Sequence, residues 1–272
     1  MRLYQLDAFT DRLFAGNPAA VVPLTNWLPD EQMQHIAAEN NLAETAFYVK
    51  ADEDAQYHIR WFTPTVEVDL CGHATLATGH VIFYLEEKPD TDQIYFTSRS
   101  GLLKVCRGED GWLTLDFPID TVQRAYVQPP ALLTSFTEKP QVVFKGKTDY
   151  MLVYETQEQI EALVPDFREM ITVPARGIIV TAPARSEGDS RDTAGVDFVS
   201  RFFGPQSGID EDPVTGSAHT TLVPYWAERL GKEELIARQL SARGGYLKCK
   251  LNGDRVDISG QVQLYLTGEI KE

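Results

Sequence analysis

Three short stretches hold the residues whose chemistry is worth following. Asn41-Leu42-Ala43-Glu44-Thr45-Ala46-Phe47 places one carboxylate where a helix ends and an apolar strand begins. If that strand is internal, Glu44 is poorly solvated, its pKa rises toward the working pH, and it becomes a usable proton shuttle. A solvated edge glutamate is the plainer reading of the same residues. Cys71-Gly72-His73-Ala74 opens another apolar run, where a thiol or an imidazole feels the positive end of a helix. A histidine in such a place is also a common structural hydrogen-bonder. The third stretch, Asp210-Glu211-Asp212-Pro213-Val214-Thr215-Gly216-Ser217, sets an acidic cluster just before a further apolar run. Stabilisation by the helix end is a sufficient structural reason for these carboxylates. With no spaced histidine and no Asp/Asn–Gly loop they make neither a calcium nor a zinc site, so no metal is expected.

The second and third stretches share a grammar. Arg60-Trp61-Phe62-Thr63-Pro64 is followed by Gly72-His73-Ala74 and Thr75-Leu76-Ala77; Arg201-Phe202-Phe203-Gly204-Pro205 is followed by Gly216-Ser217-Ala218 and His219-Thr220-Thr221-Leu222. The two copies lie 141 residues apart, which predicts a duplicated unit and two similar lobes facing each other. Cys71 then corresponds to Thr215, and His73 to Ser217. A helix that opens on glycine leaves bare backbone N–H groups at its positive end, a ready anion site. Two such ends, at Gly72 and Gly216, would grip a small carboxylate in a cleft between the lobes.

Bulk properties narrow the field. A net charge of −15 over 272 residues argues against nucleic acid or an anionic membrane as partner. The three cysteines, Cys71, Cys106 and Cys249, form no CxxC pair and are odd in number, which fits reduced thiols in a cytoplasm. Met1 to Asp7 alternates like a strand and has no signal-peptide character, and no apolar run approaches the ~20 residues of a membrane span. Gly-x-Gly-x-x-Gly, Gly-x-x-x-x-Gly-Lys and Gly-x-Ser-x-Gly are all absent. Nucleotide binding and serine hydrolysis lose their usual support.

The elements that must hold these residues follow from pattern. A helix is expected over 28–40, with Pro29, Asp30 and Glu31 in its first turn, and strands over 44–50 and 57–63. The run 74–85 is apolar almost all round and reads as a helix buried within its sheet. Strands near 93–98, 101–107 and 111–117 complete the first half. A Pro-rich stretch from 118 to 140 marks a boundary. The second half repeats the order: strands near 141–145 and 149–155, a helix near 157–171, strands near 177–183 and 196–203, and a buried helix over 217–230. A polar loop is expected over 183–195. Four strands close the chain, the last over 261–267 and returning to the first lobe. The fold class is α+β, with lobes 1–118 plus 261–272, and 119–260.

Taken together, these residues resemble the PhzF-like phenazine biosynthesis family, which shares its fold with diaminopimelate epimerase. The likeness runs through Asp7-Ala8-Phe9-Thr10, Phe14-Ala15-Gly16-Asn17-Pro18-Ala19-Ala20-Val21, the Glu44 stretch, Arg60 to Pro64, Leu70 to Thr75, and Glu211 to His219. It implies two lobes, each a curved, mostly antiparallel sheet or barrel around a central helix. It also implies an isomerase with neither cofactor nor metal. In the phenazine enzyme a glutamate moves a proton between two carbons of a dihydro-hydroxyanthranilate, and that glutamate falls on Glu44. Family site positions fall on His73, Asp212 and Ser217, with Gly72 and Gly216 as backbone donors. The related epimerase uses opposed cysteines, whereas here Cys71 faces Thr215, a hydroxyl too weak as acid or base for that work. A small carboxylate substrate and a second copy of the chain are the partners expected. A non-catalytic small-acid binding protein of the same fold is the alternative, and an amino-acid epimerase a further one.

Overall fold

Tyr57, Ile59 and Trp61 are buried on one side of their strand while His58 and Arg60 are only partly so, the period of two that a pleated strand imposes. The computed structural model describes residues 1–51, 56–185 and 195–271. They divide into two compact units, Met1–Phe117 with Asp257–Glu272, and Pro118–Val256.

The first unit runs β1 (Arg2–Ala8), β2 (Asn17–Pro23), α1 (Asp30–Asn40), β3 (Glu44–Lys50), β4 (Tyr57–Phe62), β5 (Glu67–Val68), α2 (Gly72–His80), β6 (Gln93–Ser98), β7 (Gly101–Arg107) and β8 (Leu113–Pro118). Strand β1 pairs antiparallel with β2, β2 parallel with β3, and β3 antiparallel with β4. Strand β4 takes β5 antiparallel and β6 parallel, and β6 pairs antiparallel with β7. Helix α1 stops at Asn41, whose φ of 49° is the left-handed cap that asparagine tolerates. Glu44 therefore begins β3 three residues later. Met33 and Ala37 of α1 pack on Val22, Phe47 and Phe62.

Helix α2 is buried from Gly72 through Gly79. A Cβ at Gly79 would come within 2.9 Å of Val105, so glycine there lets the helix lie against β7. The expected single helix over 74–85 instead widens into a π turn, Val81–Leu85, with the Glu86 N–H on the Val81 carbonyl at 2.9 Å.

The second unit begins with β9 (Gln123–Arg124) and α3 (Pro130–Thr134), both inside the Pro-rich stretch expected to mark a boundary. It continues with β10 (Val142–Lys145), β11 (Tyr150–Val153), α4 (Gln157–Ala162), α5 (Phe167–Met170), β12 (Ile178–Pro183), β13 (Phe198–Gly204), β14 (Ile209–Asp212), α6 (Gly216–Leu230), β15 (Glu234–Gln239) and β16 (Gly245–Asn252). One helix was expected over 157–171, and two are present. Pro165 disfavours helical backbone at the residue before it, and Asp166 caps a new helix by accepting from Arg168 and Glu169 N–H. Most of the expected loop, 186–194, lies outside the described residues.

Pairing in this unit repeats the first: β10–β11 antiparallel, β11–β12 parallel, β12–β13 antiparallel, β13–β14 antiparallel, β13–β15 parallel, β15–β16 antiparallel. The duplication reaches side chains. Arg60 and Arg201 each make two hydrogen bonds to a glutamate on the next short strand, Glu67 and Glu211. Each guanidinium also covers the phenylalanine two residues on, at 5.2 Å for Phe62 and 4.9 Å for Phe203. The chain closes with β17 (Arg255–Gly260) and β18 (Val262–Glu269), and β18 pairs antiparallel with β1.

Helix α6 carries Pro224, which cannot bond the Thr220 carbonyl. The Asp120 N–H takes that carbonyl at 3.1 Å, so the acceptor is not orphaned. Trp226 anchors the same helix, stacking on Phe198 at 5.5 Å and donating from Nε1 to Thr181 at 3.0 Å. No described helix is long and apolar enough to cross a membrane.

Candidate active site

Glu44 is the first residue of β3 and His73 the second of α2, and the first unit brings them together in its interior. His73 Nε2 lies 3.2 Å from Glu44 Oε2, with side chains 5 % and 13 % exposed. Among the described residues neither atom has an aligned hydrogen-bond partner, so the contact is one of charge and proximity. On the other side of the ring, Asn17 Nδ2 stands 3.1 Å from Nδ1 and Cys71 Sγ 3.5 Å from it. Nε2 carries a proton whether the ring is charged or is neutral with Asn17 donating to Nδ1, so an N–H faces the carboxylate in either state. Burial opposes charging of the ring, but the Glu44 carboxylate beside it outweighs that and holds the His73 pKa above its ordinary value. Burial, and then the charge of Glu44, push the Cys71 thiol up to about 11. At neutral pH it is a thiol, not a nucleophile.

Glu44, Cys71 and His73 could each offer one ligand atom to an ion. His73 meets the carboxylate through Nε2 and the sulfur through Nδ1, opposite sides of one ring. The three ligand atoms lie within 4.8 Å of one another.

In the second unit Asp212 ends β14 and Thr215 precedes α6, both buried. The Thr215 hydroxyl donates to Asp212 Oδ2. Gln239, fully buried at the end of β15, bonds the Asp212 carbonyl at 2.8 Å, the Thr215 N–H at 2.9 Å and the Thr215 hydroxyl at 3.2 Å. Ser217 Oγ accepts from Arg176 Nη1 at 2.9 Å, and Arg176 is held by two further bonds to buried Asp149. One turn into α6, His219 Nδ1 is 2.9 Å from the Thr215 carbonyl, and burial drives its pKa down to about 4. It is neutral at working pH and donates Nδ1–H to that carbonyl.

Gly72 and Gly216 are the first residues of their helices, and no side-chain cap closes either start. Cys71 and Thr215, in the N-cap positions, turn their side chains to His73 and Asp212 instead. At α6 the Ala218 N–H takes the Thr215 carbonyl at 3.2 Å, and the earlier N–H groups of each first turn have no intrahelical acceptor.

Sequence reading gave no role to Asn17, Asp149, Arg176 or Gln239. Asn17 stood within a quoted motif, after Gly16, whose φ of +65° and 2.2 Å approach of an added Cβ to the Ala8 carbonyl require glycine. The other three are polar residues far along the chain from the groups they bind, with no local signal.

The family model described as phenazine biosynthesis-like protein matches residues 6–268. The chain belongs to that family. It is 49 % identical over 278 residues to an uncharacterized isomerase of Pseudomonas aeruginosa, covering 100 % of this chain and 98 % of the relative. A solved PhzF-family structure from Enterococcus faecalis is 43 % identical with a TM-score of 0.90, covering 100 % and 99 % of the two chains. A predicted epimerase from Pseudomonas aeruginosa, 21 % identical with a TM-score of 0.73 over 99 % and 98 % of the chains, shares the fold alone. Relatives within the family thus carry the name isomerase, and the α+β fold of repeated, sheet-rich units is theirs as well.

Proposed function

We propose that this protein is a cofactor-independent isomerase that moves a proton along a small unsaturated carboxylic acid, with Glu44 as the shuttle. The observation that carries the reading is the buried Glu44–His73 pair, whose facing atoms have no aligned partner of their own among the described residues, beside the uncapped start of α2. Catalytic contacts of this kind are often long without substrate and tighten when it binds.

In the proposed reaction Glu44 takes a proton from a carbon conjugated with the substrate carboxylate. The C–H pair of electrons spreads into the conjugated system, and negative charge builds on the carboxylate oxygens. Backbone N–H groups at the start of α2 would receive that charge, worth more out of water than in it. The protonated Glu44 then returns its proton to a second carbon, so the acid leaves as an isomer with no net change in atoms. The Nε2–H of His73 faces the Glu44 carboxylate before the first transfer and after the second, and keeps the carboxyl group in place between them. Asp212 and Ser217 are also assigned a part in the reaction, with Gly216 as a backbone donor.

A two-thiol epimerase has less support. The Cys71 thiol stays protonated, and the Thr215 hydroxyl is committed to Asp212. Three free thiols suit a reducing cytoplasm. The test is incubation in deuterated water with a dihydro-hydroxyanthranilate and a set of cyclic unsaturated acids, followed by proton NMR. Rearrangement or deuterium uptake in at least one acid supports the isomerase. Binding of several acids with no exchange in any would favour the non-catalytic binding protein.

A further inference from the structure

Gln239 is wholly buried, and its side chain bonds two residues, Asp212 and Thr215. The orientation of its amide follows from them. Oε1 must face the Thr215 N–H, a donor, and Nε2 must face the Asp212 carbonyl, an acceptor. A reversed amide would set donor against donor and acceptor against acceptor in a site closed to water. Nε2 therefore also donates to Thr215 Oγ1, and the single hydroxyl proton of Thr215 is left to go to Asp212 Oδ2. The chain of donors runs one way, from Gln239 through Thr215 to the Asp212 carboxylate.

From this geometry we infer that Gln239 is a positioning residue for Asp212, acting through the Thr215 hydroxyl. It pins both ends of the Asp212–Thr215 turn and sets the direction of the proton between them. The Asp212 side chain is held in one rotamer at the mouth of α6, receiving a hydrogen bond at Oδ2. A carboxylate that must act on a substrate gains from such a fixed orientation, because reorganisation is avoided at the moment of reaction. Nothing local in the sequence marks Gln239, which lies 24 residues beyond Thr215. The inference rests on the proposed part of Asp212 in the reaction.

The experiment is a double-mutant cycle on turnover of a dihydro-hydroxyanthranilate, with Gln239→Leu, Thr215→Val and both together. Each single change should lower kcat roughly ten- to hundred-fold with little change in KM, as loss of a hydrogen bond to a charged group does. The double variant should lose no more than the worse single one, and Thr215→Ser, which keeps the hydroxyl, should lose much less than Thr215→Val. Additive losses, or a Thr215→Val enzyme at the wild-type rate, would overturn the inference. Asp212→Ala separates the two claims. Full activity in that variant removes Asp212 from the reaction and the inference with it. Lost activity in Asp212→Ala with an additive cycle leaves the reading standing and the inference refuted. A readout free of turnover covers a chain inert toward that acid: the Thr215 hydroxyl proton should exchange slowly in NMR of the wild type and fast in Gln239→Leu. Fast exchange in the wild type would refute the one-way chain.

Discussion

His219 should make this protein acid-sensitive. The imidazole is fully buried at the start of α6, stands 6.0 Å from the Phe198 ring, and gives its Nδ1–H to the Thr215 carbonyl. Burial lowers its pKa from 6.5 to about 4, with the backbone bond opposing part of the fall. In the unfolded chain the same group titrates near ~6.5. A depressed folded pKa contributes stability that is present above the unfolded value and is lost as pH falls through the folded one. Across that window the unfolded state binds a proton that the native state refuses. At about 1.4 kcal/mol per unit, the full loss is roughly 3 kcal/mol. The perturbation is His219→Asn, which places an amide donor near the position of Nδ1 but cannot titrate. Its smaller volume will cost some stability at neutral pH, so the comparison is of slopes. Urea unfolding at matched ionic strength, from neutral pH down to about pH 4, should show the wild type losing about 3 kcal/mol more than the variant. His80, also lowered to about 4 by burial, titrates in both proteins and cancels. Parallel loss in the two proteins would show that His219 does not refuse a proton in the native state.

Three further outcomes follow from the same geometry. Cys71→Ala should keep most of whatever turnover the wild type has, since the thiol is protonated and no opposed thiol stands at Thr215; complete loss with an intact fold would revive the epimerase reading. Asp149→Asn should cost about 3 kcal/mol in chemical denaturation, because the buried carboxylate of the Arg176 pair is replaced by a neutral amide. A loss below about 1 kcal/mol would show the pair to be only a surface contact in effect. Gly216→Val should weaken binding of inorganic phosphate in calorimetry with the thermal midpoint little changed, since the side chain would crowd the open N–H groups of α6. Unchanged phosphate affinity would count against the anion cradle.

The sequence exposed what has a period or a breaker in it. The alternation at 57–62, the stop at Asn41 and the all-round apolar run after Gly72 each rest on local rules, and each element stands where those rules put it. The Arg60 and Arg201 copies announced the duplication, and the matched strand pairing and bidentate glutamates are its physical content. The helix expected over 157–171 breaks in two because Pro165 stops the first and Asp166 caps the second. The π turn at Val81–Leu85 has no sequence rule behind it. The proximity of Glu44 and His73 was legible only through the resemblance, since 29 residues and two strands separate them. Gln239, Arg176 and Asp149 were beyond reach for the same reason: a buried polar residue is explained by its partner, and the partner is chosen by the tertiary fold.

The central claim is that Glu44 carries the proton, and Glu44→Gln tests it most directly because the amide keeps size and shape but cannot shuttle. General acid–base groups of this kind contribute roughly 10²–10⁴-fold. With a competent acid in deuterated water, the wild type should place deuterium on the carbon that is reprotonated. The variant should do so slower by that factor while its affinity for the acid changes little. Exchange by the variant at the wild-type rate would contradict the account and make Glu44 a structural partner of His73.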